Sequence, residues 1–114
     1  MNERIEALYN YLSDKKCKDI AVYDISGEKL SYACIIILTC NDITANKSLA
    51  SNIMQDFSLD SFPEGFNKGE WIIFDFDDII LHLFIPALRE KYNLDKLWQT
   101  KKVNVNKQDK KAKK

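Results

Sequence analysis

The sequence predicts an α/β domain in which helices pack on both faces of a mixed β-sheet of about four to five strands. The main observation is the segment Tyr32 to Thr39 (YACIIILT), a continuous apolar run typical of strands that are covered on both faces. Segments with helical spacing of apolar residues stand on either side of it, and such strands need helices above and below them. With 114 residues, 46% of them apolar, the chain fits one domain with a substantial core.

The first half of the chain contains two predicted helices and two predicted strands. The spacing i, i+3, i+4, i+7 marks a helical stripe formed by Ile5, Leu8, Tyr9 and Leu12. Ile20 to Ile25 (IAVYDI) predicts a short strand that ends at Ser26-Gly27, and Tyr32 to Thr39 is the next strand. Asn41-Asp42 can cap a helix. That second helix has an apolar stripe formed by Leu49, Ala50, Ile53, Met54 and Phe57.

The second half is dominated by a predicted hairpin. Residues 58–70 contain one proline and two glycines, which predicts mainly a loop with room for one short strand. Trp71 to Ile85 (WIIFDFDDIILHLFI) predicts a strand over 71–75, a tight acidic turn at residues 76–78 and a strand over 79–85. Pro86 can begin a helix, because its missing N–H needs no partner in the first turn. The apolar side of this helix is formed by Leu88, Tyr92, Leu94, Leu97 and Trp98.

A net charge of zero conceals two oppositely charged parts. Residues 101–114 contain seven lysines and one acid, a net charge of +6, and the other 100 residues carry −6. We therefore expect a folded domain over residues 1–98 and a lysine-rich, disordered tail over residues 99–114. The acidic body is attracted to basic protein surfaces, whereas the tail prefers the phosphates of nucleic acids.

Cysteine usage and hydropathy predict a soluble protein of the cytoplasm. Cys17, Cys34 and Cys40 are an odd number without C-x-x-C spacing, so we expect free, buried or half-buried thiols rather than disulfides or a zinc site. No apolar run approaches the roughly 20 residues that cross a bilayer. The first twelve residues contain charged side chains and are not a signal peptide. We predict no cofactor and no membrane partner.

The most specific signal is the stretch WIIFDFDDIILHLF followed by REKYNLDKLW, which resembles the signature of the Iojap or ribosomal silencing factor family. That signature has a tryptophan-led strand, an acidic hairpin turn, a strand containing one histidine and a helix that ends in Tyr-x-Leu-x-Lys-Leu-Trp. The matching residues are Trp71, Asp75, Asp78, His82, Arg89, Tyr92, Leu94, Lys96, Leu97 and Trp98. Ten matches at fixed spacing make the signal strong.

The resemblance implies a fold similar to that of nucleotidyltransferases and a function without catalysis. Members of the family bind ribosomal protein L-fourteen on the face of the large ribosomal subunit that meets the small subunit. Occupying that face sterically prevents the subunits from joining and lowers translation when nutrients are scarce. Free family members tend to be homodimers. The chain departs from the family pattern at Asp77 and Cys40, where glycines are usual, and at Ala33, where an aspartate is usual.

The predicted site for the partner is the hairpin, with an acidic knob formed by Asp75, Asp77 and Asp78. Trp71, Phe76 and Arg89 complete the predicted contact, Arg89 as a rim residue on a solvated helix face. The alternative interpretations are a merely solvated turn and a Trp71 that belongs to the core.

His82 is the only histidine of the chain and has no nucleophile as an evident partner. We therefore expect a core residue with satisfied hydrogen bonds rather than a catalyst.

Two other functions are consistent with parts of the sequence. Asp75 and Asp77 put two carboxylates on one strand face, as in nucleotidyltransferases that hold magnesium against phosphates. The turn that would hold the phosphate, Thr39 to Asp42, carries an acid that repels it. The lysine tail allows a contact with ribosomal RNA, but it lacks the aromatic residues of an RNA-recognition module.

Overall fold

The computed structural model describes residues 3–28, 31–59 and 61–105, and they form a five-stranded sheet with helices on both faces. The elements in chain order are α1 (Glu3–Ser13), β1 (Lys18–Asp24), β2 (Cys34–Thr39), α2 (Ile43–Phe57), β3 (Trp71–Asp75), β4 (Ile79–Phe84), α3 (Pro86–Tyr92), α4 (Leu94–Leu97), a 3-10 turn (Gln99–Lys101) and β5 (Lys102–Val103). The sheet order is β3-β4-β2-β1-β5, with β2 parallel to β4 and the other pairs antiparallel. The predicted mixed α/β class is confirmed.

The central strand β2 is buried along its whole length, as its apolar sequence predicts. Its side chains alternate between two hydrophobic clusters, one on each face of the sheet. On the first face, α1 and α2 pack with Ile5, Leu8, Leu12, Leu49, Ala50 and Ile53. On the second face, α3 and α4 cover only part of the sheet through Leu88, Leu94 and Trp98. Ile73 and Ile80 on that face stay half-exposed.

The loop before the hairpin is fastened by α2. Asp42 caps this helix, its carboxylate accepting a hydrogen bond from the Ala45 N–H at 2.8 Å. One turn further, the buried Asn46 amide donates to the carbonyl oxygens of Gly69 at 2.9 Å and Leu83 at 3.0 Å. The Asn46 side chain therefore joins the end of the loop to β4 and fixes where β3 begins.

Several element bounds differ from the predicted ones. β1 begins at Lys18 rather than Ile20, and β2 begins at Cys34 rather than Tyr32. The loop 58–70 contains one isolated bridge, between Glu64 and Ile73. Residues 99–103, which we expected in a disordered tail, form the 3-10 turn and β5, because Val103 pairs with Val22 and packs against the core. Residues 106–114 of the predicted tail lie outside the described residues.

Arg89 ties α3 and α4 to the end of the sheet. Its guanidinium binds both carboxylate oxygens of Asp95, at 3.0 and 2.8 Å, and also donates to the Thr39 hydroxyl and the Asp19 carbonyl. Burial opposes ionisation of the Asp95 carboxyl, but hydrogen bonds from Arg89 and Tyr23 outweigh it and lower the pKa of Asp95 below its usual value. A single side chain thus connects two helices and two strands.

We expect Arg89→Ala to lower the free energy of unfolding by about 2 kcal/mol, because it leaves the half-buried Asp95 carboxylate without its cation. This loss in the free energy of unfolding is smaller than that expected for a fully buried ion pair, because both side chains keep some contact with water. Urea denaturation measures the change. The matched control is Lys101→Ala, which breaks a more exposed ion pair with Glu28 and should leave the unfolding midpoint unchanged. Equal effects of the two substitutions would contradict the proposed importance of Arg89.

Candidate protein-docking site

The predicted hairpin is present, and its turn has a tight, defined geometry. Phe76 N–H donates to the Ile79 carbonyl at 2.8 Å, which closes the ladder between β3 and β4. Asp77 adopts a φ of 71°, in the left-handed region where aspartate is tolerated better than most residues. This explains how aspartate can occupy the position where the family resemblance led us to expect a glycine. We call Asp75, Asp77 and Asp78 the acidic turn.

The three carboxylates of the acidic turn differ in their surroundings. Asp75 is exposed, and its two oxygens accept hydrogen bonds from the Tyr32 hydroxyl and the Asp77 N–H, each at 3.0 Å. Asp77 is exposed as well. Asp78 is half-buried and forms an ion pair with Arg4, which also donates to the Phe76 carbonyl at 3.0 Å. Asp75 and Asp77 therefore direct charge outward, whereas Asp78 fastens α1 to the hairpin.

Phe76 does not face outward as a partner-binding residue, contrary to our expectation. Its side chain is 8% exposed and packs against Phe57 and Phe74, with ring centroids 5.7 and 5.9 Å away. The turn folds so that the Phe76 ring reaches the core below it. Burial of this ring stabilises the conformation of the acidic turn.

Trp71 lies at the other end of β3 from the acidic turn. It pairs with Phe84, whereas Asp75 pairs with Ile80, so the two residues are about 13 Å apart along the strand. The half-buried indole stacks on Phe84 and lies tilted against Tyr92, with both ring centroids 4.9 Å away. Trp71 and Asp75 do share one face of the strand, as predicted, but they do not form one compact group.

His82 is a core residue with a satisfied hydrogen bond, as predicted. It is 9% exposed, and its Nδ1 accepts a hydrogen bond from the Trp71 indole N–H at 3.0 Å. Burial lowers the pKa of His82 to about 4, and a weaker attraction from Asp95 opposes this shift. The ring is therefore neutral at pH 7 and carries its proton on Nε2.

Arg89 is far from the acidic turn, and the prediction that it lies on a solvated helix face near the turn was wrong. It contacts Thr39, the last residue of β2, whereas the acidic turn adjoins the first residues of β2 and β4. Its side chain is 16% exposed and fully engaged in the contacts described above. Glu90, its neighbour on α3, is exposed.

The geometry does not assemble the nucleotidyltransferase site that the acidic pair allowed. The N-terminus of α2 follows Thr39, at the opposite edge of the sheet from Asp75 and Asp77. That helix end is occupied by the Asp42 carboxylate, which would repel a phosphate. Among the described residues, no three side chains of the metal-binding types come together.

The cysteines are unpaired within the described structure, and two of them are buried. Burial raises the pKa of the Cys34 and Cys40 thiols to about 12 and that of the half-buried Cys17 to about 11. All three are therefore protonated at neutral pH and poor nucleophiles. None of the described helices has the length and hydrophobicity needed to cross a membrane.

Sequence reasoning missed two residues that hold the acidic turn in place, Arg4 and Tyr32. They are 74 residues from Asp78 and 43 residues from Asp75, respectively. Local periodicity contains no signal for contacts at such separations. Tyr32 was placed inside β2, whereas it lies just before the strand and its hydroxyl reaches Asp75.

The fold and the hairpin define a small α/β domain that presents exposed carboxylates on a rigid turn, a suitable surface for docking to another protein.

The family model described as "Ribosomal silencing factor during starvation" matches residues 1–114. The "Ribosomal silencing factor RsfS" of Chromobacterium violaceum is 31% identical over 91 residues, which cover 76% of this chain and 75% of that protein. The protein of the same name from Zymomonas mobilis is 33% identical over 92 residues, covering 76% and 68%. A crystal structure of a Chromobacterium violaceum protein superimposes with a TM-score of 0.73 at 27% identity, covering 93% of both chains. The chain therefore belongs to the ribosomal silencing factor family.

We expect His82 to make stability depend on pH between 6.5 and 4. Its pKa is lower in the folded state than in the unfolded chain, so its contribution is complete above pH 6.5 and is lost as the pH falls toward 4. The loss amounts to about 3 kcal/mol near pH 4. His82→Gln keeps an acceptor for the indole N–H but does not titrate. The free energy of unfolding, measured by denaturation at several pH values, should therefore vary less with pH for the variant than for the unchanged protein. An equal pH dependence of the two proteins would refute the role of His82.

Proposed function

We propose that the protein binds the large ribosomal subunit through ribosomal protein L-fourteen and thereby blocks association with the small subunit. Translation would fall under nutrient limitation, in agreement with the starvation role in the description of the family model. Its action would take place in the cytoplasm, where free subunits are available. No chemical step is required, because occupation of the joining face is sufficient.

The observation that carries this proposal is the acidic turn. Asp75 and Asp77 are exposed, and their backbone is fixed by the closed hairpin and the buried Phe76 ring. Residues 1–100 carry a net charge of −6, which attracts a basic ribosomal protein over longer distances. Because the turn is already ordered, binding costs little conformational entropy. Trp71 and Tyr92, farther along the same face, offer aromatic surface for the same partner.

Size supports the steric part of the proposal. The principal dimensions are 37 × 36 × 28 Å, and the buried sheet makes the domain resistant to compression. A rigid body of this thickness keeps two closely fitting surfaces apart. Arg89 and Phe76 contribute here by stabilising the domain and the turn rather than by touching the partner.

We further propose that the free protein forms a homodimer. Large apolar side chains remain exposed on the described surface, among them Leu97 at 68% and Tyr92 at 47%. Such side chains can be covered by a second copy until the ribosomal partner replaces it.

The exposed charges of the acidic turn should control affinity for the large subunit. We expect Asp75→Asn combined with Asp77→Asn to weaken binding at least about tenfold, because two carboxylates that face basic groups are lost. The neutral amides keep the hydrogen-bonding shape and suit the positive φ at residue 77. The measurement is co-sedimentation of the pure protein with isolated large subunits, small subunits and joined ribosomes.

The matched control is Asp14→Asn combined with Glu90→Gln, which changes the net charge equally at exposed positions away from the turn. Normal binding is expected for the control. If the turn variant also bound normally, the acidic turn would not be the docking site. If the unchanged protein failed to bind large subunits, the whole functional proposal would be overturned.

We also propose that the lysine tail contacts ribosomal RNA beside the docked domain. Five lysines lie between residues 107 and 114, beyond the last described residue, Val105. Removal of residues 107–114 leaves β5 complete and should reduce the salt dependence of binding, because phosphate contacts release counterions. Binding measured by co-sedimentation between 50 and about 200 mM salt gives this slope. An unchanged slope would exclude the tail contact.

A further inference from the structure

A groove opens beside the acidic turn, where the loop before β3 runs along the outer edge of that strand, next to the half-covered face of the sheet. Its volume is about 390 Å³, and the residues that line it include Tyr32, Phe62, Glu64, Ile73, Asp75 and Ile80. We propose that this groove receives an arginine side chain of the docking partner. The inference rests on the proposed function and specifies the chemistry of the same surface.

The floor and one wall of the groove are apolar. Ile73 and Ile80 are half-exposed, because α3 and α4 cover only the other end of this face. The wall is Phe62, whose ring is 65% exposed although it packs edge-to-face on Phe66 with centroids 5.3 Å apart. The Lys47 ammonium lies over the Phe66 ring at 5.2 Å. Phe66 thus holds the Phe62 ring in position on one side, and the rest of the Phe62 ring lines the groove.

The wall is attached directly to the edge strand. Glu64 and Ile73 exchange two backbone hydrogen bonds, of 3.0 and 2.9 Å. Gly65 follows with a φ of 81°, and a Cβ there would come within 2.1 Å of the Trp71 carbonyl oxygen. A side chain at residue 65 would therefore push the loop off β3. The width of the groove depends on this close approach.

The groove also contains two carboxylates. Asp75 is oriented by the Tyr32 hydroxyl and the Asp77 N–H, and Glu64 is exposed on the loop side of the groove, two residues after Phe62. Within the described residues, the ion pairs that form involve other acids, so neither carboxylate has a cationic partner there. The groove therefore combines an apolar floor with uncompensated negative charge.

An arginine matches both properties. Its aliphatic stem can lie on Ile73 and Ile80 while the guanidinium reaches the carboxylates. The planar guanidinium binds a carboxylate through two parallel hydrogen bonds and stacks on aromatic faces, here Tyr32 or Phe62. An acidic side chain would be repelled. A purely apolar one would remove water from the carboxylates without replacing their hydrogen bonds.

The direct test uses a peptide probe and the whole chain. The blocked peptide acetyl-Leu-Arg-Leu-amide is titrated into ¹⁵N-labelled protein, with acetyl-Leu-Gln-Leu-amide as the neutral control. Saturating amide shifts are expected at Tyr32, Ile73 and Ile80 for the arginine peptide, and at least about tenfold weaker binding for the control, as a bidentate charged contact is lost. Equal binding of both peptides, or shifts confined to other surfaces, would overturn the proposal.

Single substitutions test whether the arginine peptide binds in the groove. Phe62→Ala and Glu64→Gln should each weaken the arginine peptide severalfold, and both positions are exposed enough to leave the fold intact. Leu97→Ala, which removes an equally exposed apolar side chain on α4, should have no effect. If Phe62→Ala and Glu64→Gln bound the peptide like the unchanged protein, the groove would not be the site.

The same variants separate this inference from the functional proposal. In co-sedimentation with large subunits, Phe62→Ala and Glu64→Gln are expected to weaken binding, as the acidic-turn variant does. If only the acidic-turn variant lost binding, the result would support docking at the acidic turn and exclude a role of the groove. If the unchanged protein did not bind subunits at all, the proposed docking to the ribosome would be refuted. The peptide titration would still decide whether the groove binds an arginine side chain.

Discussion

The parallel pairing of β2 with β4, inside a sheet that is covered on both faces, is the constraint on which the rest of the structure depends. β2 has no exposed residue, so both of its edges must be paired and both of its faces packed. Parallel pairing places the ends of β2 and β4 at one edge of the sheet and their beginnings at the other. The turn before β4 is held there by the Asp78 carbonyl, which accepts hydrogen bonds from the Ala33 and Cys34 N–H groups at 2.8 and 3.2 Å. The turn is therefore anchored to the most buried strand of the protein.

This arrangement separates charges that are paired within the fold from charges that are left for the proposed docking. At the edge where β2 ends, Arg89 and Asp95 neutralise each other and join α3 and α4 to the sheet. At the opposite edge, Asp75 and Asp77 stay exposed, and of the three carboxylates of the acidic turn only Asp78 has an ion-pair partner among the described residues. Breaking a largely buried pair such as Arg89–Asp95 is destabilising, because one charge loses its partner, and the pair is hidden from a binding partner. Charges that remain solvated cost little and can attract a basic surface.

Incomplete coverage of the second face shapes the surface beside the acidic turn. α3 and α4 are short and cover the half of the sheet that holds Phe84, Ile37 and Tyr23. The other half keeps Ile73 and Ile80 half-exposed beside the acidic turn. A longer helix in this position would enlarge the core and close the groove. The present lengths leave an apolar surface next to negative charge, which suits a partner with long cationic side chains.

By itself, the amino-acid sequence determined the α/β class, the hairpin with its acidic turn and the buried role of His82, because each depends on local periodicity or on the chemistry of one residue. Only the tertiary structure decided that Phe76 points into the core, that Trp71 lies at the far end of β3 and that Arg89 works at the opposite edge of the sheet. It also revealed that Arg4 and Tyr32 hold the acidic turn in place. Residues 99–103, which we expected in a disordered tail, form the 3-10 turn and the edge strand β5. The physical reason is that these features arise from contacts between residues distant in sequence. Their energies depend on how strands and helices pack, which local patterns do not encode.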